Sequence, residues 1–419
     1  MRKRLTGKFV VVMVVVCVIV ALILVPACAP KAAPAPPASA EKKPDSVPLA
    51  LLVDVTGPYA PVAKSYHPGF VDAIEYINTK LGGVKGVPMS FVERDDGGKV
   101  AVVITNYEEI RVMNPRPYIM HTCGSYEAEP LHDRFADDKF PAILAPTTIA
   151  LYPAAYSFGI YPTYPDQFGA FVDWLMSTWK EARAPKVAFL TWDSPYGKAC
   201  LTDEAYAYAK TKGVDIVRTE LFGMRDMDVS TQLLRIREKN PDWIFSNTSI
   251  VGPKVIFQSA KDMGYEIKLA GAVGLEWLTM RMTGPQLLEG AIVVAPWVNW
   301  DDPQSEGVKA IKQIFDKNGR TESDRDQCYL HAWSFVTIAH KVISKAVDEV
   351  GWGKVDGTVL KDQLCKLNNF RFMEGFPVIS YTKERPSPLA MRVYQIRGGK
   401  MVPLSDWKDA PDLRPAQYK

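Results

Sequence analysis

The stretch LALLVDVTGPYAPVAKSYHPGFVDAIEYINTKLGGVKG, residues 49–86, decides the architecture. It opens with an apolar run, LALLVDV, that has no polar face. Strands buried on both sides read this way, as in parallel sheets covered by helices. A turn at Gly57-Pro58 follows. Tyr66, Phe70, Ile74 and Ile77 then recur at helical spacing, with Pro68 in the first turn or at a kink. The glycines of GGVKG, residues 82–86, end the helix. The unit is strand, turn, helix, turn.

The same unit recurs along the chain. Further strands are expected at PMSFVER (88–94), YIMHT (118–122), AILAP (142–146), KVAFLTW (186–192), DIVRTEL (215–221), DWIFSN (242–247), KLAGAV (268–273) and AIVVAP (291–296). Helices are expected near 99–112, 167–183, 198–212, 229–239, 253–264, 305–318 and 329–349. This alternation argues for a doubly wound α/β architecture. In such sheets ligands bind outside the carboxyl ends of the strands. After Trp297 the alternation breaks into a long helix, the turn GWGKVDG, another helix, and strand-like runs at 369–374 and 389–396. The tail beyond Pro403 reads as polar and irregular.

The chain begins differently. Arg2, Lys3, Arg4 and Lys8 precede an apolar run from Phe9 to Val25, the pattern of a secretory signal. The run is nearly long enough to span a bilayer, so a retained anchor is the alternative. The junction Val25-Pro26-Ala27-Cys28 resembles a bacterial lipobox, which makes residues 1–27 a signal peptide and Cys28 the lipidated residue. Residues 28–47, rich in Ala and Pro, read as a semi-rigid tether. Loss of the four basic signal residues, with no acid lost, turns the net charge of +3 slightly negative. No basic field is left for nucleic acid. The body is long for one hydrophobic core, so two lobes are expected.

Catalytic signatures are missing. There is no P-loop, HExxH, GxSxG or GxGxxG turn, so neither an enzyme nor a cofactor is indicated. Cys123, Cys200, Cys328 and Cys365 form no CxxC pair, which argues against a metal site. Cys328 with Cys365 is a conceivable disulfide, with buried free thiols as the alternative. His331 and His340 are nine residues apart and read, like His67, His121 and His132, as structural histidines.

Five strand-end motifs carry a resemblance: DVTGPY with its following helix, ERDDGG (93–98), PAILAPTT (141–148), TWDSPYGKA (191–199) and EGAIVVAPW (289–297). In this order, behind a lipobox, they resemble the branched-chain amino acid type of periplasmic binding protein over about 48–400. The resemblance implies a type I periplasmic binding protein fold: two doubly wound Rossmann-like lobes with parallel sheets, joined by a three-crossing hinge. One lobe would be 48–165 plus 297–375, the other 166–296 plus 376–410, with 411–419 a tail. It implies an exported, lipid-anchored component of an ABC importer. Its partners would be a small solute in the interlobe cleft and a membrane permease. A sensor module of the same fold, signalling through a membrane partner, is the alternative.

By the same resemblance the ligand would meet Tyr59 after the first strand, Gly124 and Ser125, and the loop Thr147, Thr148 and Ile149. From the second lobe it would meet Trp192, Tyr196, Val273 and Gly274, with Trp297 at a crossing. Helix N-termini would take a ligand carboxylate. Tyr329 is a further aromatic near a crossing. Two positions depart from the family pattern: Ile149 stands where a hydroxyl is expected, and Val273 where amino-acid receptors carry an acid. A buried ammonium without an anion is costly. The expectation is therefore a small organic solute, an organic or aromatic acid or an amide ahead of an amino acid such as leucine, with Glu276 too far along the chain to substitute.

Overall fold

The computed structural model describes residues 42–145, 148, 151–302 and 305–419. The signal, Cys28 and nearly all of the tether lie outside the described residues, as do Thr147 and Ile149. Among the described residues, no helix is long and apolar enough to cross a membrane.

Two sheets organise the chain. The first comprises β1 (Val47–Val53), β2 (Met89–Asp95), β3 (Met120–Thr122), β4 (Ala142–Leu144) and β5 (Ser157–Gly159), in the order β2-β1-β3-β4-β5. All its pairs are parallel. The second comprises β6 (Lys186–Trp192), β7 (Asp215–Phe222), β8 (Trp243–Ser246), β9 (Leu269–Gly271), β10 (Ile292–Ala295), β11 (Ala390–Arg397) and β12 (Lys400–Pro403), in the order β12-β11-β10-β9-β8-β6-β7. β6 to β10 pair in parallel, while β11 and β12 close one edge antiparallel. A short strand β13 (Lys408–Asp409) also pairs with β11. Each sheet thus reverses its winding once, between β1 and β3 and between β6 and β8. That is the crevice where doubly wound sheets hold ligands.

All nine expected strands form; the central ones are buried on both faces as their apolar runs require, while β2 and β7, at the sheet edges, are only partly buried. β5 was not expected: three residues carry no readable period. The helices are α1 (Ala60–Ala63), α2 (Tyr66–Lys80), α3 (Val100–Arg111), α4 (Ser125–Asp137), α5 (Tyr164–Thr178), α6 (Pro195–Lys198), α7 (Asp203–Thr211), α8 (Ser230–Arg237), α9 (Val251–Asp262), α10 (Trp277–Thr283), α11 (Glu306–Lys317), α12 (Gln327–Val350) and α13 (Gly357–Cys365). Helix α4 was missed because Pro130 and six charged residues or histidines obscure its apolar stripe of Ala128, Leu131 and Phe135. The strand-like run at 369–374 is not a strand; it makes one isolated bridge, Phe370 to Ile379.

Helices α2 and α12 form the tightest seam over the first sheet. Phe70 packs on Phe335 and Tyr76 on Trp333. The two helices approach at Gly69, where an added Cβ would lie 2.7 Å from both the Ala332 methyl and the Tyr329 carbonyl oxygen. In an exposed helix Gly→Ala stabilises by about 1 kcal/mol. Here the seam has no room, so Gly69→Ala is expected to destabilise by about 1–3 kcal/mol, read from urea unfolding of the soluble body. A stabilised variant would contradict the close approach.

Between β5 and α5 the chain passes from one sheet to the other. Thr163 and Asp166 build a reciprocal cap that starts α5 three residues before the apolar period does. Asp166 accepts from the Thr163 N–H at 3.1 Å and hydroxyl at 2.6 Å, and from the Leu413 N–H at 2.7 Å. The tail beyond Pro403 is therefore tied to α5 rather than loose. Burial raises the Asp166 carboxyl to about 6, against 3.8 in the open. The folded state then binds the extra proton between those values, so this group's stabilisation is full at about pH 4 and is lost as pH rises through 6. Relative to Asp166→Asn, the wild type is expected to lose stability over that window in thermal unfolding. The lost acceptor in the variant gives a constant offset; a flat difference across pH would refute the assignment.

Candidate ligand-binding cleft

Parallel strands deliver all their carboxyl-end loops to one side, and here the loops of both sheets face the same cavity. Its volume is about 140 Å³. The wall takes Tyr59 after β1, Cys123 to Tyr126 after β3, and Ala145 after β4. It takes Ser194 to Tyr196 after β6, Ser249 after β8, Val273, Gly274 and Glu276 after β9, and Trp297 after β10. The first turns of α12 complete it with Gln327, Cys328 and His331.

The first-sheet side is held by carboxylates placed behind the wall. Asp54 accepts from the Gly57 and Tyr59 N–H groups, which fixes the turn after β1. Gly57 is required there, since a Cβ would overlap the Gly97 carbonyl. The Tyr59 ring stacks on Tyr126 at 5.2 Å and 13°. Its hydroxyl lies 3.9 Å from the sulfur of Met224, which follows β7 in the other sheet. At the start of α4, Glu127 accepts from the Cys123 and Gly124 N–H groups at 2.6 and 2.8 Å. Those two donors are therefore capped internally. The next amides, of Ser125 and Tyr126, have no carbonyl within the helix to bind. Burial, and then Asp96 beside it, push the Glu127 carboxyl well above the usual range. Glu127 and Asp96 share a hydrogen bond, with the Tyr126 hydroxyl donating to both.

The second-sheet side is organised by Tyr196. Its hydroxyl donates to the Val273 carbonyl at 2.5 Å, and its ring packs edge-on against Tyr164 at 5.2 Å. Gly274 has φ of 124°, and a Cβ there would lie 2.4 Å from the Tyr196 hydroxyl. The Val273 N–H donates to Gln167 at 3.1 Å. With both its backbone groups engaged, Val273 gives the wall only an apolar side chain.

The loop then turns Glu276 into the cleft. It is 2% exposed, and its Oε2 has no partner among the described residues. The Trp297 side chain hydrogen-bonds the carboxyl, yet burial, followed by the nearby Asp326, raises it well above the ordinary range. Asp326 caps α12 through the Cys328 and Tyr329 N–H groups, and burial pushes it up to about 7. Among the described wall residues Glu276 is the one carboxylate, and there is no Lys or Arg. Although Glu276 stands three residues beyond Val273 in the chain, the structure brings it into the same wall.

Other expectations also meet the structure. Gly124, Ser125 and Trp297 stand in the wall with Tyr59 and Tyr196, but Trp192 lies behind Tyr196 at 6.2 Å, outside it. Thr148 is buried and hydrogen-bonds Glu129. Tyr329 is core, not cleft: it is fully buried with its hydroxyl on Asp72, which Arg320 also binds. Cys328 and Cys365 are free thiols, as are Cys123 and Cys200. His331, read as structural, lines the cleft. Its ring meets Trp297 at 4.3 Å, its Nδ1 faces the Tyr66 hydroxyl at 3.0 Å, and burial lowers it to about 3, so it is neutral. Tyr161 and Tyr164 were missed because they follow the unread strand β5. The i, i+4 spacing of Gln327 and His331 at a helix start was the available signal for that pair.

Comparison with known proteins accords with this arrangement. A leucine-, isoleucine-, valine-, threonine- and alanine-binding protein of Pseudomonas aeruginosa is 25% identical over 319 residues, covering 74% of this chain and 81% of its own. A Leu/Ile/Val/Thr-binding protein of Salmonella typhimurium is 24% identical over 284 residues, 64% of this chain and 74% of that one. The crystal structure of a branched chain amino acid ABC transporter from Thermus thermophilus with bound valine superposes with a TM-score of 0.79. It covers 89% of this chain and 99% of that one at 21% identity, and shares the two-lobe fold. The periplasmic binding protein model matches residues 46–400, and the chain belongs to that family.

Proposed function

We propose that this chain is the extracytoplasmic substrate-binding component of an ABC importer and that its cargo is a small amino acid. The lobes expected at 48–165 plus 297–375 and at 166–296 plus 376–410 close on that cargo. Lipidated Cys28 and the Ala/Pro tether hold the receptor beside its membrane permease. A ligand that touches both lobes favours the closed state by its extra contacts there. The Tyr59–Met224 contact lies across that closure.

Glu276 carries the cargo assignment. In its ionised form a carboxylate buried with a free oxygen needs an N–H donor of opposite charge, which an ammonium supplies and a bare organic acid does not. No Lys or Arg stands in the described wall to meet an anion alone. A quaternary ammonium suits the aromatic wall but has no N–H for Glu276 Oε2. A zwitterion fits both ends. Its ammonium meets Glu276, and its carboxylate meets the Ser125 hydroxyl and the first-turn amides of α4, where the helix dipole favours negative charge. The cavity, about 140 Å³, is comparable to the ~150 Å³ space that holds one benzene molecule. The preference for an organic acid or amide rested on the missing acid at Val273, and Glu276 in the wall supplies an acid there.

Calorimetry on the soluble body should therefore find amino acids binding and aromatic carboxylates or short dicarboxylates not binding. Glu276→Gln keeps the shape and removes the charge. It should weaken amino-acid binding at least ~30-fold, about 2 kcal/mol or more, while the ligand-free melting temperature holds or rises. Carboxylates that bind wild type and variant alike, with no amino acid binding, would overturn the proposal.

A further inference from the structure

Two more wall atoms lack partners. Gln327 Oε1 and His331 Nε2, like Glu276 Oε2, have none among the described residues. Gln327 and His331 are each 6% exposed, so neither atom is at the open surface. They stand four residues apart at the start of α12 and share one face of it. Trp297 places them relative to Glu276: its side chain hydrogen-bonds Glu276 and its ring packs edge-on against His331 at 4.3 Å. One indole thus touches the group that meets the ammonium and the histidine of the second pair.

A wall meant only for an aliphatic side chain would not carry two buried unpaired polar atoms. Closing leucine or valine over them leaves both without a hydrogen bond, a net cost. A carboxamide satisfies both. Its NH₂ donates to Gln327 Oε1. Its oxygen accepts from His331 Nε2–H in the tautomer where the Tyr66 hydroxyl donates to Nδ1, 3.0 Å away. Resting on the amino-acid reading above, we propose that Gln327 and His331 form a second polar subsite that selects an amino acid with a carboxamide side chain over a branched aliphatic one. Sites built to hydrogen-bond a polar group reject analogues that lack it far more strongly than apolar pockets reject a missing methylene.

Asparagine and leucine are near-isosteric and differ at this group, so they are the probes, with glutamine as the longer carboxamide. Calorimetry on the wild-type soluble body should show asparagine or glutamine binding at least about tenfold tighter than leucine. Gln327→Leu should cut that preference about tenfold or more while leucine binding holds or improves. Gln327→Met, closer in shape, guards against misfolding and should act the same way. Leucine binding as tightly as both carboxamides would overturn the subsite. So would a Gln327→Met variant that weakens all three equally, since Gln327 would then hold the common head group. Failure of all three to bind, or binding unchanged in Glu276→Gln, would instead overturn the amino-acid reading, and the subsite with it.

Discussion

The carboxyl ends of the parallel strands of two sheets meet at one cleft, and the rest of the molecule follows from that constraint. Parallel strands need covering helices on both faces, so every strand-to-helix turn falls at one end of each sheet. Such turns carry helix N-termini and loop amides that the sheet cannot satisfy. Some are capped from within, as Glu127 caps Cys123 and Gly124 and as Asp326 caps Cys328 and Tyr329. Ser125 and Tyr126, the next residues of α4, line the cavity. The two windings reverse at β1/β3 and β6/β8, and each reversal opens a crevice on the shared cleft.

The cleft combines an aromatic lining with very few polar points. Aromatic rings cover a ligand over a large area at low entropic cost, and tyrosines add a polar edge. Several of these rings are fixed before any ligand arrives. Tyr196 is held by the Val273 carbonyl, and Tyr59 by its stack on Tyr126. Glu276, like Gln327 and His331, keeps an atom without a partner among the described residues. Its burial beside Asp326 favours the protonated form in the empty protein. A cation brought to it would restore the ionised form and offset the cost of burial.

Much of this was legible in the sequence, and the reasons for the gaps are physical. Runs such as LALLVDV and KVAFLTW announced strands because burial on both faces leaves no polar position. The resemblance carried by the strand ends then implied Tyr59, Ser125, Tyr196 and Trp297 as ligand contacts, and all four line the wall. The acid was harder to place. The resemblance tied it to the position of Val273, but the backbone turns at Gly274 with positive φ and the carboxyl that lines the cavity stands three residues later, at Glu276. Loop geometry of this kind has no periodicity to read. Tyr329 shows the converse error. On a helix, residues two apart face nearly opposite sides, so Gln327 and His331 reach the cleft while Tyr329 turns to Asp72 in the core. Helix α4 was hidden by Pro130 although its cap, Gly124 to Glu127, governs the cleft wall.

The central claim is that the buried Glu276 carboxyl, which burial shifts toward the protonated form, is shifted back toward the ionised form when it receives the ammonium of an amino acid. Titration calorimetry at neutral pH, repeated in buffers of different ionisation enthalpy, counts the protons released on binding. Net proton release on amino-acid binding by the wild type, and none by Glu276→Gln, is the expected result. Binding with no proton released, or with the same release in the variant, would contradict it.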